Sequence, residues 1–254
     1  MTFIIAEAGV NHGGSYERAQ RLVDTAKAAG ADAVKFQLFS SKDLWRDDRI
    51  RHLEFTTDQM GEVYDRCIQV GIEFLCTPFS IESLGWVKKH CSTIKIASGC
   101  IAKYDLLRAT DATGLPIILS TGMATYNDIR EALAIIGDER TTLLHCTSAY
   151  PAPPDQLNLR AMEAMRHFGC PVGYSDHTDG ILASVAAVAM GAEVIEKHLT
   201  LNRNSVGPDH KASIEPDQFA LMVKQIRLVE MMRGSREKYV QPCEQLLFQQ
   251  WRPQ

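Results

Sequence analysis

Short runs dominated by apolar residues alternate along the chain with longer stretches whose apolar positions recur every three or four residues. The short runs predict strands over residues 3–9, 33–39, 73–78, 93–98, 116–121, 142–147, 171–176 and 193–198. The stretches between them read as amphipathic helices. Across 16–29, Ala19, Leu22, Val23 and Ala26 share one face, and Gly30 stands at the end as a stop. Helical patterns over 60–70, 105–113, 127–136 and 181–190 are likewise followed by Gly71, Gly114, Gly137 and Gly191. Strands alternating with helices imply right-handed βαβ units and a parallel sheet. Eight such units predict an α/β fold, a (β/α)8 TIM barrel, which typically takes about 250 residues. A doubly wound open sheet is the competitor, but it would normally carry a GxGxxG or GxxxxGK[ST] turn after its first strand, and neither is present. The barrel is expected over residues 1–232. Residues 233–254 read as a polar tail with no strand or helix period.

Composition narrows the class. The chain has 254 residues, 45% of them hydrophobic and 23% charged, as ordinary soluble globular proteins do. A formal net charge of −4 gives no footing for a nucleic acid or an anionic membrane as partner. No apolar run approaches the roughly 20 residues that cross a bilayer. The start has no basic region and reaches Glu7 too soon for a signal peptide. Seven cysteines without a CxxC pair argue for a reducing compartment rather than a disulfide framework. A cytoplasmic enzyme is the expectation.

In a barrel, polar residues at the carboxyl ends of strands face the active site. Here those ends carry Glu7, Lys35 with Gln37, Thr77, Lys95 with Ser98, Ser120, His145 with Ser148, Ser175 with His177, and Glu196 with His198. A lysine inside an apolar strand is costly to bury without an anionic partner. One reading pairs Lys35 and Lys95 with Glu7 and Glu196 as a structural network. The preferred reading adds the nearby hydroxyls and gives a seat for a phosphate or phosphate-carboxylate ligand, since ammonium groups neutralise its charge and hydroxyls donate to its oxygens. His177 and His198 end neighbouring strands and project into one mouth, an arrangement suited to Mn²⁺, Zn²⁺ or Fe²⁺. His145 is expected as a hydrogen-bonded histidine of the barrel interior. His12, in the first loop, is open to a functional or a local role. Asp209, in the loop after the eighth strand, is a candidate catalytic or substrate-binding carboxylate. The cysteines lack zinc-site spacing and read as buried small hydrophobes.

The segments IAEAGVNHGG (5–14), AVKFQ (33–37), KIASG (95–99), LSTGM (119–123), LHCTSAYPAP (144–153), SDHT (175–178), EKH (196–198) and GPDHKAS (207–213) resemble, in order, the sialic acid synthase family. That family condenses phosphoenolpyruvate with an N-acylated hexosamine such as N-acetylmannosamine on a metal-bearing (β/α)8 barrel, releasing phosphate and a nonulosonic acid. The resemblance implies His177 and His198 as metal ligands. Mn²⁺ is the first expectation, with Mg²⁺, Co²⁺ or Zn²⁺ as alternatives. It implies Lys35, Thr77, Lys95, Ser98, Ser120 and Ser175 around phosphoenolpyruvate, and Glu7 as the catalytic carboxylate. It places Gln37, Tyr150 and Asp209 towards the sugar, with Ser148 where members often carry Asn.

Two departures bear on specificity. Members place an acidic, sugar-contacting residue after the Lys-Ile-x-Ser-Gly element, and here that position is Cys100. Members also continue into a small antifreeze-like domain that, in a dimer, reaches over the partner's barrel and supplies an arginine to the acyl group. Pro242-Cys243-Glu244 resembles the start of the connecting segment. The expectation is therefore a barrel without that domain, working as a homodimer or with a separate lid-supplying protein. Three alternatives stand beside the synthase: a phosphoenolpyruvate synthase for a different aldose, a Schiff-base lyase, and a barrel that binds phosphoenolpyruvate or sugar without turnover.

Overall fold

The two periodicities of the chain become strands and helices in strict alternation. A computed structural model describes residues 1–42 and 48–252. Its strands are β1 Phe3–Gly9, β2 Ala33–Leu38, β3 Glu73–Pro78, β4 Ile94–Ile96, β5 Ile117–Ser120, β6 Thr141–Cys146, β7 Val172–Asp176 and β8 Val194–His198. The helices are α1 Tyr16–Ala28, α2 Thr57–Val70, α3 Ile81–His90, α4 Tyr104–Asp111, α5 Tyr126–Ile136, α6 Ala161–Met165, α7 Leu182–Ala189, α8 Pro216–Arg233 and α9 Gln245–Trp251. Strand order is β3-β2-β1-β8-β7-β6-β5-β4, and the paired strands are all parallel. The two ends of that order, β3 and β4, lie side by side. The sheet thus curls into a nearly closed (β/α)8 barrel, as the alternation predicts.

Local chemistry sets the element ends. The Ser15 side chain caps α1 by accepting from the Arg18 N–H, and Thr56 with Gln59 forms a reciprocal capping box on α2. Gly71 ends α2 at φ 70°, a left-handed conformation that glycine adopts without steric cost, and its N–H returns to Cys67 O. The pattern of α8 is blurred, because Phe219, Met222, Val223 and Ile226 are buried while Leu221, Leu228, Met231 and Met232 are exposed. The tail departs from expectation. It contains the helix α9, none of whose residues is buried, so no apolar stripe marks it. Positions 253 and 254 of that tail lie outside the described residues. Among the described residues no helix is long and apolar enough to cross a membrane.

Alternate strand residues face the barrel axis. Ile5, Ala33, Leu75, Ile118, Leu144 and Val194 form an apolar plug there. Their neighbours, such as Ile4, Val34, Phe74, Leu119, Leu143 and Ile195, join the larger core under the helices. Each buried aliphatic side chain contributes about 1.5–3 kcal/mol, which allows the layer above to hold charge. Two residues further along, the axial positions turn polar: Glu7, Lys35, Thr77, Ser120 and Glu196. The switch falls at the carboxyl ends of the strands, the functional face of such barrels.

Candidate active site

Directly above the plug sits a cluster of buried charges. Lys35 Nζ, from β2, lies 2.5 Å from Glu7 Oε2 on β1 and 3.5 Å from Glu196 Oε2 on β8. Lys95 Nζ, from β4, is 3.8 Å from the same Glu196 oxygen. Lys95 donates to Ser120 Oγ at 2.6 Å and to the Ile96 carbonyl at 3.1 Å, while Lys35 donates to Thr77 Oγ1 at 3.2 Å. Ser175 donates to Glu196 Oε1 at 2.9 Å, and Gln37 Nε2 to Glu7 Oε1 at 2.8 Å. The ion-pair network with Glu7 and Glu196, the less favoured of the two sequence readings, is formed. It lies at the floor of an open cavity rather than in solid core.

Electrostatics separates the members of this cluster. Burial raises the Glu7 carboxyl, and Glu196 adds to that effect; Lys35 opposes it without cancelling it. Burial also disfavours ionised Glu196, but Lys35 and Lys95 together with the Ser175 hydrogen bond overcome this and hold it at about 2. Lys35 loses solvation yet ends above an ordinary lysine because Glu196 and Glu7 both face it. Lys95 ends below, since burial outweighs the pull of Glu196. Lys95 is therefore the less compensated ammonium.

The histidines stand above this floor. His177 Nδ1 is 2.8 Å from the Thr147 carbonyl, so it donates there and Nε2 carries the free lone pair. His198 Nδ1 is buried without a hydrogen-bond partner and lies 3.7 Å from Asp209 Oδ2. The two rings are 5.4 Å apart, and the Tyr150 ring is 4.3 Å from His177 and 5.8 Å from His198. Burial lowers both imidazoles and so favours their neutral forms. Asp209 is raised to about 7 by burial and by the charge of Glu7. Two neutral imidazoles, one with an orphaned buried nitrogen facing a carboxyl, fit the donor chemistry of a divalent cation. Among the described residues no group of three His, Cys, Asp or Glu comes together as a metal site. The remaining ligands of such a cation would be water or substrate oxygens.

One cavity of about 370 Å³ is lined by all the residues that the resemblance assigns to catalysis, substrate or metal, from Glu7 to Asp209. Ser98 Oγ accepts from the Gly122 N–H at 3.0 Å. A Cβ at Gly122 would stand 2.2 Å from Ser148 Oγ, so a side chain there would displace that hydroxyl from the cavity wall. Val10, Phe39, Leu53 and Phe79 give the cavity an apolar wall. Glu196 lines the cavity too, as its place among the polar strand ends predicts, although the sequence assigns it no role beyond that of a lysine partner.

One expectation needs correction, that for His145, and two positions are placed more closely. Cys100, read as a buried small hydrophobe, does not line the cavity. It closes the 3-10 turn Ser98–Cys100, 1% exposed and packed in the core. His145 is hydrogen-bonded, to Leu157 O at 2.7 Å, but it points away from the axis because Leu144 takes the interior position. His12 is a packing residue outside the cavity lining, its ring 4.0 Å from that of Phe55.

The architecture and this polar mouth define a (β/α)8-barrel enzyme with its site at the carboxyl ends of the strands. Residues 22–238 match the NeuB family model, and the chain belongs to that family. An uncharacterized protein of Methanocaldococcus jannaschii is 44% identical over 253 residues, covering 96% of this chain and 75% of its own length. The N,N'-diacetyllegionaminic acid synthase of Campylobacter jejuni is 41% identical over 270 residues, covering 96% of this chain and 81% of its own. The crystal structure of N-acetylneuraminic acid (sialic acid) synthetase from Leptospira borgpetersenii in complex with citrate superposes with a TM-score of 0.92 at 35% identity, covering 98% of this chain and 92% of that one. The chain is accordingly an enzyme of the sialic-acid-synthase type, a transferase that forms carbon–carbon bonds.

Proposed function

We propose that the enzyme joins phosphoenolpyruvate to an N-acylated hexosamine of the N-acetylmannosamine type, forming a nonulosonic acid and releasing phosphate. The observation that carries this reading is the floor of the cavity. Two buried ammonium groups, Lys35 and Lys95, stand there among the Thr77, Ser120 and Ser175 hydroxyls, directly beneath two neutral histidines. Such a floor suits a ligand bearing phosphate and carboxylate. His177 and His198 would hold a divalent cation, with Mn²⁺ first and Mg²⁺, Co²⁺ or Zn²⁺ as alternatives. When bound, that ion supplies Lewis-acid polarisation of the sugar aldehyde.

The protein's own groups account for the remaining steps. Lys35, Lys95, Thr77, Ser98, Ser120 and Ser175 bind and orient phosphoenolpyruvate. Gln37, Ser148, Tyr150 and Asp209 face the sugar. The methylene carbon of phosphoenolpyruvate attacks the aldehyde carbon, and water adds to the electron-poor carbon that bears the phosphate. Glu7, whose burial raises its proton affinity, takes a proton from that water and delivers it to the new sugar alkoxide. The tetrahedral carbon then expels phosphate by carbon–oxygen cleavage, the hydroxyl proton leaves with it, and a ketone remains. Lys95 and Ser120 favour the departing anion. Turnover of phosphoenolpyruvate carrying oxygen-18 in its bridging position tests this route. The label leaves with phosphate if the reading is right; label retained in the sugar acid refutes it.

A further inference from the structure

Behind the two histidines, on the outer face of β7 and β8, a charged pair is buried in the layer between barrel and helices. Asp176 and Lys197 are fully buried and stand in register across the two strands, with Nζ 3.2 Å from Oδ1. Lys197 Nζ also donates to the Thr178 carbonyl at 2.7 Å. Asp176 Oδ1 accepts from the Thr178 N–H at 2.8 Å and from its hydroxyl at 2.7 Å. Its other oxygen accepts from Ser184 Oγ on α7 at 2.6 Å. Neither Asp176 nor Lys197 lines the cavity; their strand neighbours Ser175, His177, Glu196 and His198 do.

A pair of this kind adds little stability. Desolvation of both ions cancels most of their attraction, and apolar residues of similar volume pack in such places as well or better. What the network does provide is fixed geometry. His177 lies between two of its members, Asp176 and Thr178, and His198 directly follows the third, Lys197. The backbone on both sides of one imidazole is thereby tied to the residue before the other, and α7 anchors the whole through Ser184.

We propose that Asp176 and Lys197 are positioning residues that set the separation and orientation of the His177 and His198 imidazoles for a divalent cation. The inference rests on those histidines being the cation ligands. It implies that the pair governs cation affinity and leaves undisturbed the anion floor, whose two lysines stand on β2 and β4.

The test compares wild type, His177→Ala, the double variant Asp176→Asn/Lys197→Met, and Ser184→Ala. Mn²⁺ binding is followed by the paramagnetic resonance of the free ion. Phosphoenolpyruvate binding without Mn²⁺ is followed by calorimetry, and Tm is recorded for each protein. The double variant keeps the net charge, so a change in cation affinity is not a Coulomb effect. Its Mn²⁺ Kd is expected to rise about 10- to 100-fold, as when outer-shell partners of metal ligands are removed, while its phosphoenolpyruvate Kd stays at the wild-type value. Wild-type Mn²⁺ affinity in the double variant overturns the proposal, and loss of Mn²⁺ by His177→Ala then leaves the ligand assignment standing. Parallel loss of both ligands overturns it as well, because that marks a general structural role. If the double variant does not fold, Ser184→Ala decides: weakened Mn²⁺ binding with intact phosphoenolpyruvate binding supports the proposal, and unchanged Mn²⁺ binding overturns it. Failure of wild type to bind Mn²⁺, or full binding by His177→Ala, overturns the ligand assignment and this inference with it.

Discussion

Replacing Lys95 by methionine removes one ammonium from the cavity floor while keeping most of the volume of its stem. Lys95 is 2% exposed, donates to Ser120 at 2.6 Å and stands 3.8 Å from Glu196. Glu196 keeps Lys35 at 3.5 Å and the Ser175 hydrogen bond, so the substitution strands no buried carboxylate and the fold survives. What is lost is a charge-assisted contact to the bound anion, worth about 1.5–3 kcal/mol. At about 1.4 kcal/mol per decade, the Kd for phosphoenolpyruvate rises about 10- to 100-fold. Ser120→Ala removes only a neutral hydrogen bond, about 0.5–1.5 kcal/mol, and weakens binding less. Calorimetric titration of phosphoenolpyruvate into wild type and both variants, with Tm recorded for each, reads the effect. An unchanged Kd for Lys95→Met, with the fold intact, would refute the placement of the anion seat.

Other sites give equally direct outcomes. His177→Ala and His198→Ala each abolish Mn²⁺ retention and turnover while circular dichroism stays that of wild type; retained metal in both would reject the ligand assignment. Gly9 has φ 52°, and a Cβ there would stand 3.1 Å from Glu7 Oε1 and 3.3 Å from both Asp209 Oδ2 and Gln37 Nε2. Gly9→Ala therefore costs about 1–2 kcal/mol in backbone strain, a fall in Tm of about 2–8 °C for a chain this long, and it slows turnover by displacing Glu7. Wild-type Tm and rate would show that the end of β1 is not packed as described. Thiol titration of the folded protein should find one fast-reacting cysteine, the exposed Cys243, because the other six are buried and burial pushes Cys67 and Cys91 up to about 12. A second fast thiol would contradict the core packing.

The fold and the site were legible to different depths. Strand alternation could be read directly, because the axial positions change from apolar to polar within two residues on several strands, as from Ile5 to Glu7 and from Val194 to Glu196. Strand order alone brings those ends together, so the site residues converge once the barrel is recognised. Helix α9 left no signal, since an exposed helix buries no stripe. Cys100 reads as a buried small residue and is one, but the 3-10 turn that carries it into the core is a local rotation that residue spacing does not encode. Pairings such as Lys95 with Ser120, or Asp176 with Lys197, depend on strand register and distance. The sequence marks Lys95 as costly to bury and offers Glu7 and Glu196 as partners, but it does not single out Ser120 or the pair Asp176 and Lys197.

The central claim is that one floor of lysines and hydroxyls and one pair of histidines act on two substrates together. Phosphate release from phosphoenolpyruvate, measured with and without Mn²⁺ and with and without N-acetylmannosamine or related hexosamines, tests it most directly. The account predicts release only when metal and an N-acylated sugar are both present. Release without the sugar, or none with any hexosamine while phosphoenolpyruvate binds, would contradict it.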